Sequence, residues 1–144
     1  MLDLQNLKFV NVTPPAAIID NSAATTASVD RRGWDEVCFL VALGAMDIAV
    51  TALKLRESDD DSSYSDVPGA DFSVSPLTLP SATDDNKLVA IFVNGVGRKA
   101  YLDLSITLGD GAAGTYVAVL AILARGKTAP STATLRGLSQ QAII

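Results

Sequence analysis

The side chains best suited to chemistry crowd into one stretch, RESDDDSSYSDV (residues 56–67), where three consecutive aspartates precede two serines and a tyrosine. Clustered carboxylates suit hard cations bound through oxygen. A calcium loop of the EF-hand kind wants oxygen ligands at positions 1, 3 and 5, glycine at 6 and glutamate at 12. Counted from Asp59, positions 3 and 5 are Asp61 and Ser63, but Tyr64 stands at 6 and Ala70 at 12. The pattern fails at both diagnostic places. Asp59, Asp60, Asp61 and Tyr64 therefore read as an exposed acidic strand-to-strand loop, with aspartates closing turns, and no metal is expected there.

The other candidates carry less. The chain has no histidine, which removes Ser-His-Asp and Cys-His nucleophile systems and the usual zinc sites. Fourteen of its 16 acids are aspartate, so some pair will fall within glycosidase distance by chance and the pairing says nothing. Gly95 and Gly97 in NGVGRK neither open a helix nor keep a phosphate-cradling spacing, and read as a hairpin turn. Trp34 is either a sugar-stacking platform or a core or interface anchor, the second being the commoner use. Cys38, the single cysteine, sits in VCFLVAL and reads as a small buried core residue. No catalytic residue, cofactor or enzyme activity is expected.

Size and composition set the frame for these residues. A chain of 144 residues makes one domain able to bury a core without staples. Between Glu57 and Asn86 there are eight acids and no Lys or Arg; the remainder sets 11 basic residues against eight acids, a net of +3. The overall charge of −5 thus comes from one middle segment, and nucleic acid is not an expected partner. The longest apolar run, TYVAVLAILA (residues 115–124), is shorter than the ~18 residues a membrane helix needs, so no membrane partner is expected. The first residues, MLDLQNLKFV, show no signal-peptide pattern.

The preference for aspartate over glutamate, with plentiful Thr, Val and Ile and closely spaced turn signals, reads as an all-β domain. Expected strands cover residues 7–12, 24–31 (an edge), 35–43 (apolar on both faces, so central), 48–58, 87–93, 100–108 and 115–125. Gly44–Asp47 reads as a hairpin loop, and the segment from Pro68 to Pro80, with three prolines, as loop or edge. The sum is an antiparallel two-sheet sandwich, jelly-roll-like. Doubly apolar strands and a positive mean hydropathy leave outer faces too apolar for water, so self-association is expected.

Three parts follow: residues 1–22 as an N-terminal arm with a first strand, 23–125 as the body, and 126–144 as a C-terminal arm. Phe9, Val12, Pro14 and Pro15 at one end, with Ile143 and Ile144 at the other, are the candidate contacts to a neighbour. Deleting residues 1–15 is expected to leave the sandwich folded.

Three segments in order resemble a known family: RRGWDEVCFLVALGAMD, LKLRESDDDSSYSDVPGAD and NGVGRKAYLDLSITLGDG. Together they are similar to small structural proteins of tailed bacteriophages and prophages, the capsid decoration (cement) proteins among them. The resemblance implies a β-sandwich, often a homotrimer, made in the host bacterial cytoplasm and seated on the outside of the virion, where it clamps neighbouring major capsid subunits. The third consecutive aspartate and Ala100 depart from the pattern. A phage tail or neck component, and a virion-surface carbohydrate-binding module using Trp34 or Tyr64, remain the alternatives.

Overall fold

A computed structural model of the chain describes residues 4–109 and 111–143. Its eight strands are β1 (Lys8–Thr13), β2 (Val29–Asp30), β3 (Trp34–Leu43), β4 (Ala52–Ser58), β5 (Ser65–Asp71), β6 (Leu88–Asn94), β7 (Tyr101–Thr107) and β8 (Val117–Gly126). They form two antiparallel four-stranded sheets, ordered β1-β8-β3-β6 and β2-β7-β4-β5. The chain changes sheet at every connection except β4 to β5. This is the strand order of an eight-stranded jelly roll, the two-sheet sandwich expected from the sequence.

Alternation along each strand decides what lies between the sheets. Val37, Phe39, Val41 and Leu43 of β3, with Val117, Val119, Ala121 and Leu123 of β8, face Leu53 and Leu55 of β4 and Leu102, Leu104 and Ile106 of β7; all are buried. On β7 the opposite parity, Tyr101, Ser105 and Thr107, is only half-buried. The turn after β6 is held from outside the strands. The Arg31 guanidinium donates to the carbonyls of Gly95 (2.6 Å) and Arg98 (3.0 Å), and a side chain at Gly95 would collide with the Asp35 carbonyl.

Several sequence expectations need correcting. Gly44–Asp47 is not a hairpin loop: β3 and β4 lie in different sheets, and residues 44–51 carry the chain across between them. The edge strand expected over residues 24–31 shrinks to Val29–Asp30, preceded by a single bridge from Ala23 to Thr107. The reading of Pro68 to Pro80 as loop or edge holds: Pro68 lies in β5, an edge strand, and no strand is formed from residue 72 to residue 80. Cys38 is not a core residue. It has the parity opposite to Val37 and Phe39 and sits half-buried on the outer face of its sheet.

The terminal segments are part of the body. Val12 is 2% exposed and belongs to the core of this chain, so it cannot reach a neighbour. Residues after Pro14-Pro15 return along the sandwich, with Ile19 bridged to Thr115 and the Ala24 N–H donating to the Ile106 carbonyl. At the other end, the Arg136 carbonyl accepts from the Phe9 N–H (2.8 Å), and the buried Arg136 guanidinium donates to the Gln5 carbonyl (2.6 Å). Gly137, at φ 77°, packs so tightly on the Phe9 carbonyl that no Cβ fits. The C-terminal segment is a strap across the β1 edge.

Candidate functional site

The acidic stretch forms the β4–β5 hairpin, and its three aspartates turn to three different partners. Asp60 is the hub: its Oδ1 accepts from the Ser58 hydroxyl (2.7 Å) and from the N–H groups of Ser62 (3.0 Å) and Ser63 (2.8 Å). Those donors, the Ser63 N–H foremost, hold its carboxyl well below the usual carboxylate range. Asp59 faces Lys99 at 3.6 Å, and Asp61, at φ 59°, accepts from the Tyr64 hydroxyl at 2.5 Å. The Tyr64 ring lies against the Arg56 guanidinium, 5.4 Å from the ring centre, and burial together with Asp61 pushes its hydroxyl up to about 12. A cation site needs convergent oxygens. These carboxylates diverge, and among the described residues no cluster of three metal-ligating side chains occurs.

The two outer faces of the sandwich are unlike. On the β2-β7-β4-β5 sheet charges are paired, Arg56 with Asp103 (2.6 Å) and Lys54 with Asp66 (2.8 Å) across strands, and Arg32 with Asp30 (2.6 Å) at the end of β2, its guanidinium also over the Tyr101 ring. The bond from Arg32 lowers the Asp30 carboxyl, and the bond to Asp66 raises the Lys54 ammonium. Asp103 is buried although its strand parity points outward, because Arg56 covers it with two bonds. This is a face built for water.

On the β1-β8-β3-β6 sheet the outward residues form apolar rows. Register places Phe9, Ile122, Cys38 and Phe92 side by side across all four strands. The next row is Asn11, Leu120, Leu40 and Ala90, and the one after it Ala118, Ala42 and Leu88. Charge enters only at one end, where Glu36 meets Arg125 at 3.5 Å. Phe92 is 82% exposed and Leu88 62%. A groove of about 630 Å³ runs over Cys38 and Ile122 between Leu4 on one side and Phe92 on the other. Burial pushes the Cys38 thiol up from its ordinary value, as an apolar setting should. From strand spacing and rise, the face covers roughly 500 Å². That is at the upper end of what a monomer leaves to water, and such patches mark interaction sites.

The sequence-predicted contact residues are not brought together. Phe9 lies on this apolar face, Val12 in the core, Pro14 and Pro15 on an exposed connection, and Ile143 exposed at the end of the strap. Ile144 lies outside the described residues. The residues that make the face, Leu40, Leu88, Phe92, Leu120 and Ile122, were not singled out as contacts. Their signal was the absence of polar residues at either parity in CFLVAL, LVAIFV and YVAVLAILA.

Trp34 and Tyr64, the two candidate sugar platforms, each have one ring face taken up within the chain. The indole packs where a Cβ on Gly126 would stand, within 2.7–3.0 Å of the ring, and Tyr64 is covered by Arg56. No family model matches the chain, and no curated protein matches it.

Proposed function

We propose that this chain is a structural virion protein that binds the outer surface of an assembled phage capsid and cements neighbouring major capsid subunits, acting as a homotrimer and not as an enzyme. The observation that carries the reading is the contrast between the faces. An apolar sheet face spanning four strands suits permanent cover by protein, and the charge-paired sheet opposite suits water. The acidic hairpin adds negative charge at the solvent side, which keeps a dense shell soluble. The resemblance of residues 32–125 to decoration proteins supplies the identity of the surface covered; a jelly roll by itself does not specify function. A decoration protein binds only the assembled lattice, so its binding free energy adds to the cohesion of the shell.

The test is cosedimentation of the full-length protein with capsid shells stripped of it, followed by heating. The protein should saturate the shells and raise the temperature at which they release DNA. Failure to bind any shell, with labelling of tails or necks in negative stain, would replace the capsid by a tail or neck assembly.

A further inference from the structure

Each sheet has two edge strands, and three of the four edges are closed to further pairing. β1 is irregular between Asn11 and Thr13, runs into Pro14-Pro15 and gives its Phe9 N–H to the strap. β2 is two residues long, one of them Asp30. β5 holds Pro68, Gly69 at φ 79° and two aspartates, and its register against β4 is broken. Short, bulged, charged or proline-bearing edges are the devices that stop sheets from joining other chains.

β6 has none of them. Its sequence, LVAIFVN, is uncharged, unbroken and in regular register with β3. The Gly95 N–H donates to the Asp35 carbonyl (2.7 Å) and the Leu43 N–H to the Lys87 carbonyl (3.4 Å). Odd-numbered residues of β6 therefore turn their backbone groups toward β3, and Leu88, Ala90, Phe92 and Asn94 turn theirs to the open edge.

We propose that this edge pairs, antiparallel and about a two-fold axis, with β6 of a second copy. Two features select a second copy. An uncharged strand sets no like charges against itself when it meets its own image. The turns flanking it are of opposite net sign: Asp84 and Asp85, partly offset by Lys87, precede β6, and Arg98 and Lys99 follow it. Antiparallel pairing sets the acidic turn of one copy beside the basic turn of the other, twice; parallel pairing would set like beside like. The flanking ion pairs within the chain are long, 3.9 Å for Lys87–Asp84, 3.5 Å for Arg98–Glu57 and 3.6 Å for Lys99–Asp59. An ammonium or carboxylate makes more than one bond, so these charges keep donors and acceptors for a neighbour, although Asp84 accepts from the Ser81 N–H, Asp85 from the Met46 N–H, and Lys87 donates to the Thr83 carbonyl. The contact is isologous, so it joins whatever assembly the chain otherwise forms into pairs. It does not depend on the capsid reading.

Ala90→Pro removes one outward N–H and sets a ring on the open edge, a change an edge strand accepts. In sedimentation at micromolar concentration it should halve the mass of the parent assembly. Asn94→Lys, which puts a charge on the same open edge at the polar end of the strand, away from the apolar rows, should do the same and covers the case in which the proline variant melts early. In a Cys38→Ser background, Ala90→Cys should give covalent dimers with a short bismaleimide, the two sites lying about 5–8 Å apart. Unchanged mass in both variants and no cross-linked dimer would overturn the pairing while leaving shell binding untouched. A monomeric parent whose shell binding is lost in Ala90→Pro would assign the edge to an extended capsid segment and overturn it too.

Discussion

Replacing Gly137 by alanine should release the C-terminal strap from β1 without unfolding the sandwich. Gly137 sits at φ 77° with the Phe9 carbonyl in the place a Cβ would occupy. A left-handed backbone costs an alanine roughly 1–2 kcal/mol before any clash is counted. Against this stand two hydrogen bonds from the strap to the β1 segment: Phe9 N–H to the Arg136 carbonyl, and the Arg136 guanidinium to the Gln5 carbonyl. At about 1 kcal/mol each, they hold the strap by roughly 2 kcal/mol, the same order as the strain plus the clash. Amide exchange followed by NMR reads the outcome directly. The Phe9 amide should exchange at least about five- to thirty-fold faster, the factor set by the strain alone. Amides of β3 facing β6, such as Phe39, should keep their rates. A Phe9 rate unchanged in Gly137→Ala would show that the strap is held by something other than this contact.

Other expectations follow from the same structure. Removing residues 1–15 deletes β1 and takes Leu7 and Val12 out of the interior, so it should destabilise the body by at least about 3 kcal/mol, read from urea unfolding. A truncated protein as stable as the parent would refute that. Asp103→Ala strips a buried carboxylate from a partly exposed Arg56 and should cost about 2 kcal/mol, between the values for exposed and buried pairs; a melting temperature unchanged within error would show the pair idle. Converting Asp59 and Asp61 together to asparagine should leave melting nearly unchanged with or without calcium, because both are exposed and asparagine keeps the acceptor for the Tyr64 hydroxyl. Asp60→Ala should loosen the hairpin. Because its folded value is depressed, the Asp60 contribution is complete above the unfolded value of about 3.9 and is lost as pH falls through the lower folded one. A urea midpoint that already drops between neutral pH and about pH 5 would contradict this sign.

Much of the fold was legible because period-two alternation survives where a strand has one wet face. β7 shows it in Leu102, Leu104 and Ile106, and the expected span of residues 100–108 matches the strand to within a residue at each end. β3 and β8 were legible for the opposite reason, having no polar parity at all. That same uniformity hid which face each residue takes, and so Cys38 was placed in the core. The crossing at Gly44–Thr51 was missed because a short loop between two apolar runs looks the same whether it closes a hairpin or changes sheet. The strap was invisible in sequence. GKTAPSTATLRGLSQQAII is polar, and only the tertiary fold brings Arg136 and Gly137 to the backbone of Phe9. The acidic hairpin was read as a solvated turn, and Asp60 closes that turn with the expected side-chain acceptor geometry. The apolar surface was foreshadowed as excess hydrophobicity. Its residues could be assembled into rows only once register had placed Ile122, Cys38 and Phe92 abreast.

The central claim is that the apolar face of the β1-β8-β3-β6 sheet is covered when the protein works. Cys38 is the chain's single cysteine and lies in the middle of that face, half-buried and reachable from the groove. The most direct measurement is the alkylation rate of Cys38 by a water-soluble maleimide, resolved by mass spectrometry, for the free protein diluted to its smallest species and for the protein bound to capsid shells. Cover by a partner should slow the reaction at least about tenfold, the equivalent of 1.4 kcal/mol of opening cost. Equal rates in the two states would mean that the face stays open to water, and the account of this protein as a two-faced structural clamp would be wrong.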